Sequence, residues 1–262
     1  MLADGSPGFR IAFVVLVLAA ATGLVWAVWR AGRDLGEAPR QTKRAASVAA
    51  VAIALWLTIT GRLAATGFLA FEPRPTMLPL LVLGFAGTVV LAFSRFGARL
   101  AAGLPLVLLV GYQAFRIPVE LLLHQGYTEG LVPLQMTYLG MNFDVLTGVL
   151  ALLLATLSRL GPVPRWLVAV WNLIGFGLLV NVVTIAFLSA PTPLRVFRNE
   201  PANVWIVRAP WVWLPTFLVP MALFGHLLVL RWLFAHPSAG RRDAQRAGAA
   251  TPGAVGGASR GR

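Results

Sequence analysis

The chain has 262 residues and a formal net charge of +13, with 58% hydrophobic and only 12% charged residues, about half the charged share of an ordinary soluble domain. A mean hydropathy of +0.78 over this length excludes a single water-soluble core, because most segments must face lipid or one another. Zero cysteines exclude disulfides, thiolate-bound metal, iron–sulfur clusters and thiol nucleophiles together.

Seven apolar runs are long enough for about 20 helical residues each: residues 10–29, 46–69, 76–93, 100–123, 142–160, 165–188 and 211–234. The expected fold class is therefore all-α, a polytopic transmembrane bundle over 1–235, followed by a basic, disordered cytoplasmic tail over 236–262. The first run reads as a span rather than a cleaved signal. It is apolar from Ile11 to Trp29 and is followed by a basic block that acts as a stop-transfer signal. The third is short, opening with Pro75 and Pro79. Between the fourth and fifth, Leu131 to Leu139 suits a short helix or re-entrant turn. Ser189 to Pro210, with its prolines, Arg195, Arg198, Glu200 and Trp205, suits an ordered interfacial cap.

The basic residues sort by side. Fifteen Lys and Arg fall in the first, third and fifth connections and beyond the last span. Six fall on the other side: Arg10, Arg62, Arg74, Arg195, Arg198 and Arg208. The positive-inside rule then puts the N-terminus outside and the C-terminus in the cytoplasm. Trp26, Trp29, Trp166 and Trp232 at one face and Trp205, Trp211 and Trp213 at the other fit interfacial belts, while Trp56 and Trp171 read as packing residues. With no basic stripe interleaved with aromatics on a soluble domain, the charge argues against nucleic acid as a partner.

Ionisable groups within spans are costly and need a partner or a purpose. The fourth run carries Gln113, Arg116, Glu120 and His124 at spacings that share one helical face. Arg116 and Glu120 are placed for an i, i+4 ion pair, His124 extends the stripe outward, and Pro118 interrupts the backbone bonding inside it. Counted from Leu100 at about 1.5 Å per residue, Arg116 falls in the outer third of the membrane. Asn142 and Asp144 open the fifth run, Arg62 leaves the second and Asn181 the sixth at similar depth. These eight are the candidate ligand-binding residues, converging on one outward-facing polar cavity. The competing reading is local: Arg116 and Glu120 as a packing pair, Asp144 or Asn142 as a helix cap, and Arg62 reaching to headgroups.

Known chemistries fit poorly. A retinal Schiff base needs a lysine in the last span, and the only lysine is Lys43. Bis-histidine haem fails because His124, His226 and His236 lie at different depths. Glu120, His124, Glu129 and Asp144 give too few ligands for a metal site. No HExxH, GxSxG or P-loop pattern occurs, and no cofactor is expected.

The stretches FRIPVELLLHQ (115–125), GLVPLQMTY (130–138), NFDVLTG (142–148) and WLPTFLVPMALFGHLLVLRWL (213–233) resemble uncharacterised multi-pass bacterial membrane proteins. The resemblance implies a bacterial inner-membrane setting and no particular activity. The sequence-based expectation is a protein that binds or transports a small polar or amphiphilic ligand, with the lipid bilayer as its surroundings. A membrane-embedded enzyme acting on lipid or isoprenoid, using Glu120 or Asp144 as acid/base, and a structural or assembly protein without a small-molecule site are the alternatives.

Overall fold

The computed structural model describes residues 5–73 and 75–235, and all regular structure among them is helical. Arg74 and the expected tail over 236–262 lie outside the described residues. Helix α1 (Pro7–Asp34) begins where Ser6 Oγ accepts from Phe9 N–H at 3.2 Å and Pro7 occupies a first-turn position whose N–H would be orphaned anyway. A tight connection through Gly36, with φ of 70°, returns the chain into α2 (Pro39–Ala65). Helix α3 (Met77–Phe93) is followed after Ser94 by α4 (Arg95–Gly103), turned by 61°. Ser94 Oγ makes the corner by capping α4, accepting from Phe96 N–H at 3.1 Å.

Pro105 restarts the chain into one interrupted span, Leu106–Thr128. It comprises α5 (Leu106–Gly111), a 3₁₀ turn at Tyr112–Phe115 and α6 (Arg116–Thr128). Helix α7 (Val145–Leu160) and α8 (Arg165–Leu188) follow. The last span opens with a π-helical turn at Leu214–Leu218 and continues as α9 (Val219–Ala235). Among the described residues five helical segments are long and apolar enough to cross a membrane, or six if the bent α3–α4 pair counts as one span. Helix α7 has 16 residues, about 24 Å against a hydrocarbon layer of about 30 Å.

Two of the boundaries that differ from the sequence-based expectation bear on the candidate residues. Leu100 belongs to α4, so the fourth run does not begin there. The apolar composition hid a corner that only the Ser94 cap and Pro105 mark. The fifth run loses Asn142 and Asp144 from its helix, because both side chains are used to fix the turn that precedes it.

The two ends of the bundle differ in chemistry. At one, Ser6 N and Oγ donate to Glu129 at 2.6 and 2.7 Å, and Phe9 stacks on Trp211 with ring centres 4.3 Å apart. Gln135 there donates to Ser189 Oγ at 2.7 Å and accepts from Asn199 at 2.6 Å, which ties the 129–143 and 189–213 connections together. The segment expected to form a cap is thus ordered, and within Leu131–Leu139 the short helix is a 3₁₀ turn at Leu134–Met136. At the other, basic end, Arg99 grips both oxygens of Glu37 at 2.6 and 2.8 Å and the Val28 carbonyl at 3.0 Å, while Arg231 Nη1 donates to Ala92 and Ser94 carbonyls. An apolar cluster fills each end: Phe9, Phe13, Val132 and Trp211 in the first; Val28, Leu100, Leu109, Val168 and Phe224 in the second. Large apolar side chains such as Ile11, Val15, Val48, Leu55, Leu152 and Leu153 are exposed around the waist, a belt that suits lipid rather than water.

Candidate functional site

Where the two apolar clusters meet, a layer of buried polar side chains crosses the bundle: Gln113, Arg116, Glu120, Asn142, Asp144, Thr147, Asn172 and His226. Depth explains the meeting. Arg116 lies ten residues after Leu106, about 15 Å from the basic end of its span, and His226 lies nine residues before Ala235, about 14 Å from the same end. The two are level, near the middle of the bundle. Arg116 is therefore not in the outer third, because the helix that carries it starts six residues later than its apolar run.

Arg116 is 2% exposed and makes the central contacts. Its Nε donates to Asp144 Oδ2 at 2.9 Å, and Nη1 faces His226 Nε2 at 3.2 Å and the Gly175 carbonyl at 3.4 Å. A guanidinium has donors only, so His226 Nε2 meets it with a lone pair and Nδ1 carries the hydrogen. That N–H points at Asn172 Oδ1, 2.9 Å away. The neutral tautomer of His226 follows from its two neighbours.

The expected i, i+4 pair between Arg116 and Glu120 does not form. The guanidinium turns to Asp144 instead, and Glu120 is held by Asn142, whose Nδ2 reaches both carboxylate oxygens at 2.8 Å and the Met136 carbonyl at 3.0 Å. Asn142 Oδ1 accepts from Asp144 N–H at 3.1 Å, and Thr147 Oγ1 donates to Asp144 Oδ1 at 3.1 Å. Asp144 occupies the cap position of α7 but its side chain caps no backbone N–H; the carboxylate is committed to Arg116. Close approach of the helices is required for this. A Cβ on Gly175 would lie 2.6 Å from His226 Cε1 and 2.6 Å from Thr147 Cγ2, and one on Gly148 would lie 2.7 Å from Ile117 Cγ1.

A cavity of about 120 Å³ adjoins this layer, with Arg116, Glu120 and Asp144 at its polar edge and Phe71, Phe85, Phe115, Val119, Leu179 and Leu214 among its apolar walls. It extends toward Met136, Ala190 and Ile206, at the loop-rich end. Arg116 Nη2 is buried without a hydrogen-bond partner among the described residues. Of the other candidates, Gln113 is fully buried and donates to the Ala222 carbonyl at 2.9 Å, outside the cavity. His124 packs against Tyr127 and Tyr138, with ring centres at 6.2 and 4.8 Å. Asn181 donates to the Met141 carbonyl at 2.9 Å, and Arg62 is exposed near the end of α2. The structure thus gathers Arg116, Glu120, Asn142 and Asp144 and leaves His124, Asn181 and Arg62 outside. Among the described residues no group of three His, Asp or Glu is placed to hold a metal ion.

Residues 75–234, more than half of the chain, match the model of a family described as a domain of unknown function (DUF8737). The chain belongs to this family. No curated protein and no solved structure matches it. The DUF8737 region contains every member of the polar layer, whereas α1 and α2 precede it.

His226 and Asn172 are the functional candidates that sequence reasoning missed. As a haem ligand His226 lacks a second histidine at its own depth. Its other signal was that it is the one ionisable residue in the interior of an otherwise apolar last span, which by itself calls for a partner.

Proposed function

We propose that this protein is a multi-pass protein of the bacterial inner membrane that binds, and in working form passes, a small amphiphilic ligand through the cavity beside Arg116. The observation that carries the reading is an apolar-walled cavity with a charged edge at which a buried guanidinium has an unused donor edge. A buried donor without an acceptor costs about 1–3 kcal/mol, more when charged, so an arrangement that keeps Arg116 Nη2 free beside a cavity is best explained by an acceptor that arrives. Each oxygen of Asp144 already receives a hydrogen bond, so the unmet demand at Arg116 is for an acceptor. The ligand is accordingly a molecule with a hydroxyl, carboxylate or phosphate end and a short apolar body.

The topology that accompanies this reading has seven spans, with α7 as a short fifth crossing whose length is extended by the buried turn at 142–144. The Arg-rich end, with Arg30, Arg33, Arg99, Arg165 and Arg231, faces the cytoplasm. The cavity then opens toward the outer leaflet, beneath the 129–143 and 189–213 connections.

The test is ligand-induced thermal stabilisation of the purified protein by alcohols, carboxylates and amines of matched chain length. Wild type should respond to acceptor-bearing compounds and not to the amines. Arg116→Lys, which keeps the charge but removes the planar fork, should lose the response, and Glu120→Gln should change which acceptor is favoured. An equal response to amines, or an unchanged response in Arg116→Lys, would refute the reading.

A further inference from the structure

A second feature lies on the opposite side of α3 from the polar layer. Helix α2 packs on α1, and α3 packs on α9, leaving a groove of about 850 Å³ between α2 and α3, within the usual range for a lipid-sized or drug-sized ligand. Along α2 its wall is Gln41, Ala45, Ala49, Ala52 and Trp56, spaced by three or four residues and so on one face. From Gln41 to Trp56 is about 22 Å, the depth of one leaflet with its headgroup region. Gly84 and Gly87 of α3 form the facing wall, and Met221 and Phe224 of α9 the floor; the small residues leave the space open.

The polar groups of the groove are placed unevenly. Trp56 Nε1 donates to the Thr216 carbonyl at 2.8 Å, Thr88 Oγ1 to the Gly84 carbonyl at 2.8 Å and Thr216 Oγ1 to the Val212 carbonyl at 2.6 Å. All three donors along the interior are therefore spent within the protein. Gln41 and Arg44, at the basic end, have no partner among the described residues. An open groove with apolar walls and free donors at one end complements one kind of molecule: an apolar chain with an anionic oxygen-rich head.

We infer that the α2–α3 groove is a binding site for an anionic phospholipid of the surrounding bilayer, with an acyl chain between Ala49 and Gly87 and the phosphate on Arg44 and Gln41. This site rests on the membrane setting proposed above, but it shares no lining residue with the Arg116 cavity and is independent of the ligand proposed there.

The experiment uses the full chain in nanodiscs containing equal amounts of phosphatidylglycerol and phosphatidylcholine with matched chains, released for native mass spectrometry. Wild type should retain phosphatidylglycerol over phosphatidylcholine, and Arg44→Gln should lower that preference about fivefold, the worth of one basic residue at a lipid surface. Ala49→Trp should lose both lipids, and Arg40→Gln, next to the groove but not lining it, should leave the preference unchanged. The cysteine-free chain permits a second readout that does not depend on Ala49→Trp folding. A fluorophore on Ala52→Cys should be quenched more strongly by brominated phosphatidylglycerol than by brominated phosphatidylcholine, whereas one on Leu55→Cys, facing bulk lipid, should not distinguish them. Equal retention of the two lipids by wild type, the same preference in Arg44→Gln, or a polyprenyl phosphate displacing both phospholipids would overturn the assignment.

Discussion

A double-mutant cycle between Arg116 and Asp144 tests the centre of the structure most directly. Both side chains are nearly inaccessible and their atoms approach to 2.9 Å. In Arg116→Leu the Asp144 carboxylate keeps only the Thr147 hydroxyl and the Asn142-oriented turn, and in Asp144→Leu the guanidinium keeps only His226 and the Gly175 carbonyl. Each single substitution leaves an uncompensated buried charge and should cost about 3–5 kcal/mol. With both replaced by leucine neither member of the pair is left unpaired, and Glu120 keeps its Asn142 contact, so the double variant should lie closer to wild type than either single, giving a coupling of roughly 3 kcal/mol or more. Reversible unfolding in mixed micelles, followed by tryptophan fluorescence, supplies the free energies. The parallel cycle of Arg116 with Glu120 should show the smaller coupling, because Glu120 is bound by Asn142 instead. Costs that simply add for Arg116 and Asp144, or a larger coupling to Glu120, would mean that the guanidinium faces the other carboxylate and that the geometry described above is wrong.

Three further outcomes follow from single contacts. Gly175→Ala should destabilise by about 1–3 kcal/mol through overpacking and reduce ligand-induced stabilisation, since its Cβ would push on His226 and Thr147; an unchanged melting temperature would show that the helices are not so close. Isotope-labelled histidine examined by nitrogen NMR should show His226 with its hydrogen on Nδ1, and Arg116→Leu should weaken that preference; a mixture of tautomers in wild type would contradict the Arg116 contact. At the basic end, the hydrogen bonds from Arg99 hold the Glu37 carboxyl below its ordinary range. Because Glu37 ionises at lower pH folded than unfolded, its stabilisation is complete above the ordinary carboxylate range and is lost as pH falls through the folded value. Glu37→Gln should flatten that acid limb of a stability–pH curve measured in detergent, and an identical limb in the variant would remove the pair from the account.

What was legible in the chain was what depends on local pattern. Apolar run length located the helices, though not their starts at Pro7 and Pro39, and the three- and four-residue spacing placed Gln113, Arg116 and Glu120 on one face. The corner at Ser94 was less visible, because α4 is flanked by apolar residues and Arg95 and Arg99 look like an ordinary polar connection. That boundary shifts the depth of Arg116, because its span starts at Leu106 and not at Leu100. The choice of carboxylate could not be read from spacing at all. An i, i+4 neighbour is always within reach on a helix, but whether it wins depends on a competitor delivered by another part of the chain. Here Asp144 arrives on the turn before α7 and Asn142 draws Glu120 away.

The same competition bears on why two carboxylates accompany one arginine. In a packing pair one acid would suffice, and a second buried acid adds desolvation cost with no cation of its own. Asn142 stabilises Glu120 through both oxygens, yet its amide has two hydrogens for three acceptors, the two Glu120 oxygens and the Met136 carbonyl, so the carboxylate is held in place without being fully satisfied. Arg116 Nη2 is in the opposite condition, a buried donor without an acceptor among the described residues. An under-supplied acceptor and an unused donor on the rim of the same cavity make a site whose two halves are both completed by one hydroxyl or protonated acid, which accepts from Arg116 and donates to Glu120. Glu120→Gln separates this from simple packing. The amide keeps the size and most of the contact with Asn142 but replaces one acceptor by a donor, so hydroxyl compounds should lose affinity while ionised carboxylates gain it. A uniform loss across both classes would place Glu120 in the framework of the bundle, with no part in selecting what enters.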